Sequence, residues 1–131
     1  MPLDARESVP GSGRSSVLLE HALPDGTRHL DWMLERASNA ERRLVTFRLE
    51  SGLDPCEEPV FEAERIGDHR AAYLEFEGEV SGGRGVVRRV WRRPLLSLIE
   101  TPSVHRIELA DGVRLTGTMV RDPIWRFARA S

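Results

Sequence analysis

Short apolar runs broken at close intervals by turn signals constrain this chain most, because they leave room for strands and tight connections and little else. SVLLEH (16–21), LVTFRL (44–49), LLSLIE (95–100), VHRIEL (104–109) and VRLTGTMV (113–120) each have the length and side chains of a strand. Leu23-Pro24-Asp25-Gly26 is a turn with a mechanism, proline presetting φ and Asp-Gly tolerating left-handed backbone, so it folds the next strand back as a hairpin. Ala110-Asp111-Gly112 does the same between the last two runs. Residues 35–43 and 51–59 are polar or Pro/Gly-bearing and read as connections, and strand character returns at Val60-Phe61. From Tyr73 the alternation predicts a strand with Leu74, Phe76 and Val80 on one side and Tyr73, Glu75 and Glu77 on the other. VVRRVWRR (86–93) is a strand that Pro94 ends or places at an edge, and IWRF (124–127) closes the sheet. No long segment carries a 3.6-residue period, so the expected fold is all-β: a small closed or nearly closed β-barrel of short antiparallel strands.

A chain of 131 residues suits one domain, expected over 16–131, behind a polar, Pro- and Gly-bearing lead-in over 1–15 that has no signal-peptide core. No apolar run approaches the roughly 20 residues of a membrane-spanning helix. The net charge is -2, so nucleic acid would have to be met by a local patch. Every basic residue is arginine, which suits forked phosphate binding but by itself assigns nothing. The lone Cys56 permits no internal disulfide, consistent with a reducing cytoplasm.

Chemistry concentrates between His21 and Asp31. On an extended strand His29 and Asp31 leave one face while Leu30, Trp32 and Leu34 leave the other, and the hairpin brings His21 close. Two imidazoles and a carboxylate suit a first-row divalent ion such as Mn²⁺ or Zn²⁺ and leave positions open for water and substrate. His69 and Tyr73, four apart, share a face in a strand or a helix alike. In the arginine run, plain alternation puts Arg88 and Arg92 on one face and Arg89 and Arg93 on the other. Ser81-Gly-Gly-Arg-Gly85 lacks a Walker ending and reads as a tight turn, and His105 reads as a packed or edge histidine. Trp32 and Trp91 read as core. There is no Gly-x-Ser-x-Gly elbow and no His-Glu-x-x-His helix.

His29-Leu-Asp31, then Asp68-His69 with Tyr73, then Phe76-Glu77-Gly78 and a glycine-rich loop leading into Val-Arg-Arg-Val-Trp91, resemble the 3'-phosphoesterase domain of bacterial DNA ligase D, over about Val17 to Phe127. The resemblance implies a small β-barrel in which His21, His29 and Asp31 hold Mn²⁺ while His69 and Tyr73 contact the phosphate. It implies removal of a terminal ribonucleotide or 3'-phosphate from nucleic-acid 3' ends in DNA repair, with a separate ligase or polymerase as partner. Two positions depart from the pattern. The turn between the first two histidines is longer, and Met33 stands where the family carries a phosphate-reaching arginine. One expectation is therefore an enzyme whose guanidinium comes from Arg48, Arg65 or the cluster Arg84, Arg88, Arg89, Arg92 and Arg93. The other is a non-catalytic metal- or phosphate-binding relative that serves as a binding module in a repair complex.

Overall fold

The structure, a computed structural model, describes residues 13–37 and 43–130. Most of the 1–15 lead-in and the middle of the 35–43 connection lie outside the described residues. The elements are β1 (Ser15–Ala22), β2 (Arg28–Glu35), β3 (Arg43–Glu50), β4 (Val60–Arg70), a 3-10 turn at Ala71–Leu74, β5 (Gly78–Glu79), β6 (Val86–Glu100), β7 (Val104–Leu109), β8 (Arg114–Arg121) and β9 (Ile124–Arg129). All pairings are antiparallel, in the order β1-β2-β3-β4-β9-β8-β7-β6-β5, and a further pairing of β1 with β6 brings the sheet round into a ring. The all-β, closed architecture expected from the turn spacing is what the chain forms. Among the described residues no helix is long and apolar enough to cross a membrane.

The ring is filled from alternate positions of its strands. Leu18, Leu30, Trp32, Leu34, Phe47, Phe61, Leu95, Ile107 and Phe127 are buried together. Trp32 sits 5.2 Å from the Phe127 ring and 6.0 Å from Phe47, close enough for edge and tilted aromatic packing. Trp91 packs on the rim of this core and its Nε1 donates to Asp54 Oδ1 at 3.1 Å.

The face of β2 assigned to chemistry also packs. Met33 is 1% exposed and joins Val17, Leu19, Leu44, Leu74, Val80 and Val87 in a second, smaller core outside the ring. The lid over it is the 71–80 segment, and here the predicted strand from Tyr73 gives way. Tyr73 and Leu74 belong to the 3-10 turn and only Gly78–Glu79 pair as a strand. Period-2 alternation held Leu74 and Val80 on one side, but burying both Leu74 and Tyr73 against β1 and β6 requires the tighter turn.

Pro94 does not end its strand. β6 continues for 15 residues because it changes partner there: Ser15 faces Pro94 on one side, and Leu95 begins the ladder with β7. A residue without an N–H is tolerated at such a switch. The arginine run is also rephased. Leu18 pairs with Trp91 and Leu19 with Arg89, so Val90 is an extra, bulged residue and the faces exchange across it. Arg89 and Arg92 consequently converge, both donating to the Leu74 carbonyl, at 3.2 and 3.3 Å, and clamp the 3-10 turn. Arg88 pairs with Glu20, and Arg93 lies beside Asp111 and over Trp91. The run anchors the lid and strand edges.

Candidate metal centre

Register alone assembles the first part of the site. His21 faces His29 across the β1–β2 ladder, Leu19 faces Asp31, and Asp31 faces Arg48 across β2–β3. The β1–β2 hairpin is set by its turn, where Asp25 Oδ1 accepts from the Thr27 N–H at 2.9 Å and the Leu23 N–H donates to Thr27 O at 2.8 Å. The imidazole rings of His21 and His29 lie 5.0 Å apart at 70°. One ligand atom from each of His21, His29 and Asp31 falls within 4.8 Å of the others.

The polar atoms of His29 and Asp31 face one another in a nearly buried setting. Asp31 is 4% exposed, and both its Oδ1 and the Nε2 of His29 are buried without a hydrogen-bond partner among the described residues. They lie 3.4 Å apart. Orphaned buried polar atoms cost about 1–3 kcal/mol each, and a cation held between these two would satisfy both. Burial lowers the pKa of His29; Asp31 opposes that, while Arg48 and His21 lower it further. The ring is thereby kept in the neutral form that has a lone pair to give.

His21 is oriented from outside the triad. Its Nε2 lies 2.7 Å from the Arg84 carbonyl, and since a carbonyl only accepts, Nε2 carries the proton and Nδ1 the lone pair. The Gly-rich turn delivers that carbonyl: the Val80 N–H donates to Gly85 O at 2.8 Å, and Gly85 runs against Ala22 with φ +101°. A Cβ there would sit 2.1 Å from the Ala22 oxygen. Gly85→Ala is therefore expected to lower the thermal midpoint by several degrees and weaken divalent-ion binding about 10- to 100-fold, read by melting and by titration with Mn²⁺. The role of Arg84 through its backbone escapes side-chain motifs; the glycine-rich loop was its only signal.

His69, at the end of β4, and Tyr73, in the turn after it, lie together with ring centroids 5.4 Å apart. His69 Nδ1 donates to Gly67 O at 3.1 Å, which leaves Nε2 as the free nitrogen. Both line a cleft of about 210 Å³ with His21, Asp31, Met33, Arg48 and Arg84. His29 opens on the other side, into a cleft of about 800 Å³ that shares Arg48 as a wall. His21, His29, Asp31, His69 and Tyr73 thus lie around two adjoining clefts, with Arg48 as a wall of both. Among the alternative arginines, Arg65 is committed elsewhere: it donates to Thr46 O at 3.2 Å, Ile66 O and Asp68 Oδ1 at 2.8 Å.

Cys56 is buried, and burial pushes its thiol up to about 11, so it is unreactive at neutral pH. His105 is packed between Phe47 and Trp125, with ring centroids at 5.4 and 4.5 Å, as a core histidine.

The His69 end of β4 is held by a charged network in which Arg36 bonds both Asp68 and Glu100, each at 2.7 Å. Burial raises the carboxyl pKa of each, but hydrogen bonds from Arg36, joined by Arg65 at Asp68, outweigh it and lower both below 3.8 and 4.5. Burial lowers His105 below 6.5 despite Glu100 nearby. Depressed carboxyls contribute stability above their unfolded pKa and lose it as pH falls through the folded one. A depressed histidine likewise stabilises above pH 6.5 and loses that as the unfolded chain binds the proton first. His29 adds a share of the same sign. The thermal midpoint should therefore fall steadily from about pH 7 to pH 4. His105→Phe should remove part of the decline that sets in near pH 6.5, measured by melting at each pH.

Compared with protein-family models and with curated proteins, the chain matches none.

Proposed function

We propose that this protein is a divalent-metal-dependent 3'-phosphoesterase-like protein that removes a terminal 3'-phosphate or ribonucleotide from nucleic-acid 3' ends in DNA repair. The observation that carries it is the convergence of two unpartnered buried ligand atoms, on His29 and Asp31, with His21, His69, Tyr73 and Arg48 around one region. The donor set fits Mn²⁺ or Zn²⁺, which when bound would supply charge stabilisation at a phosphate oxygen and acidify a water. With Nδ1 donating to Gly67 O, His69 in its imidazolium form turns an Nε2–H to the cleft and passes that proton to the leaving 3' oxygen as water attacks phosphorus and the phosphorus–oxygen bond breaks. Tyr73 donates its hydroxyl to a phosphate oxygen. The product is a 3'-hydroxyl, the end that a ligase or polymerase consumes, so a separate protein of that kind is the partner we propose. A single cysteine, which allows no internal disulfide, agrees with work in the cytoplasm.

The test is incubation with Mn²⁺ and labelled strands ending in a 3'-phosphate or a single 3'-ribonucleotide. Conversion of the 3'-phosphate to a 3'-hydroxyl, or shortening of the strand by its terminal ribonucleotide, lost on His69→Ala, is the expected result. The absence of processing with Mn²⁺, Zn²⁺ or Co²⁺ would reject the enzyme. One feature favours the second possibility, a binding module: Met33, buried in the smaller core, lines the cleft with a thioether. Tight retention of 3'-phosphorylated ends without turnover would establish that alternative.

A further inference from the structure

A cleft that handles a phosphate needs a cation with donors to spare, and the arginines around this one differ sharply in what they already hold. Arg84 is folded back on its own turn, donating from Nε to Ser81 O at 2.7 Å and from Nη2 to Ser81 Oγ at 3.3 Å. Arg92 is held by the lid turn and Ser15, and Arg65 by backbone carbonyls and Asp68. Arg48 alone in this set makes no hydrogen bond among the described residues. Its one charged contact is Nε to Asp31 Oδ1 at 3.6 Å, beyond hydrogen-bond length, and its side chain is 43% exposed. Its β4 neighbour across the ladder is Glu64, with which it forms no ion pair.

From these facts we infer that Arg48 is the guanidinium that binds the phosphate of the 3' end, an inference that rests on the function proposed above. Arg48 stands on β3 opposite Asp31 and walls both clefts, so its reach covers the space in front of Asp31, His69 and Tyr73. When the Asp31 carboxylate is taken by a cation, Arg48 loses its one counter-charge and its fork of N–H groups is free for an oxyanion. In the ligand-free protein the same guanidinium shields the Asp31 charge. Arg48 thus has two partners in alternation, and the anion enters from the strand beside β2 while Met33 on β2 stays packed in the smaller core.

The probe is an oligonucleotide carrying a 3'-phosphate, with the same strand carrying a 5'-phosphate and inorganic phosphate as separate arms, each titrated against the whole protein with Mn²⁺ present. Arg48→Ala is expected to weaken binding of the 3'-phosphorylated strand at least tenfold. Arg48→Lys should recover part of the loss, because it restores charge without the fork. Mn²⁺ affinity measured alone should stay equal or rise in Arg48→Ala, since a positive charge leaves the neighbourhood of Asp31. Unchanged 3'-phosphate binding in Arg48→Ala, with wild-type binding intact, overturns the role of Arg48 and leaves the proposed function standing. Equal loss in all three arms assigns Arg48 to phosphate in general and overturns its preference for the 3' end. Wild-type protein that binds neither Mn²⁺ nor the 3'-phosphorylated strand overturns the proposed function, and the role of Arg48 falls with it. Melting curves of both variants matching wild type keep a folding defect from imitating the result.

Discussion

His29→Ala is expected to weaken Mn²⁺ binding by at least about 100-fold, because losing even an outer partner of a metal ligand costs 10- to 100-fold and the proposed site makes His29 a ligand itself. Stability should not follow affinity. The His29 Nε2 and Asp31 Oδ1 atoms are buried without hydrogen bonds, so metal-free protein carries their desolvation cost uncompensated. Removing one of them leaves the metal-free melting midpoint unchanged or higher, and Asp31→Asn should behave the same way. The clean readout is the Mn²⁺-induced rise in midpoint. An ion at 100 times its dissociation constant stabilises the folded state by about 2.7 kcal/mol, so wild type should shift by several degrees and both variants should not. Variants that melt far below metal-free wild type would mean that His29 and Asp31 serve the fold.

Trp32→Ala should cost about 3–5 kcal/mol of folding free energy, the range for emptying a buried aromatic site. Trp32 is fully buried among Phe47, Phe61 and Phe127. Its Nε1 also donates to Ser16 Oγ at 2.9 Å, and that hydroxyl donates in turn to the Met33 carbonyl at 2.9 Å. The indole therefore ties β1 to β2 at the residue between Asp31 and Met33, which sets the spacing of the ligand face from the ring's interior. Loss of Trp32 should abolish the Mn²⁺ shift along with the stability. Urea unfolding that shows a lower midpoint with an unchanged slope would place the effect in stability itself. A loss under about 1 kcal/mol would contradict the central place given to this residue.

Local rules made one half of this architecture readable and left the other half hidden. The Pro24-Asp25-Gly26 turn and period-2 alternation predict that the hairpin brings His21 near His29 and that His29 and Trp32 leave opposed faces, because both follow from a few consecutive residues, and the ladder sets His21 opposite His29. The bulge at Val90, the partner switch at Pro94 and the 3-10 turn at Tyr73 follow from contacts between distant strands, and no local pattern reports them. Arg48 is the sharpest case. It is one arginine among many in sequence, and what separates it from Arg65, Arg84 and Arg92 is that those three are held by hydrogen bonds while its own ladder position faces Asp31. Met33 shows the same limit in reverse, since its alternation places it on the face of His29 and Asp31 but gives no sign of the lid that buries it.

The most direct test of the account is anomalous diffraction from crystals grown with Mn²⁺ and sulfate. The account predicts one strong manganese peak bonded to His21, His29 and Asp31 together, with a sulfate beside it held by Arg48, His69 and Tyr73. Manganese bound only at surface carboxylates such as Glu62 and Glu64, with the triad's ligand atoms still facing one another bare, would contradict it.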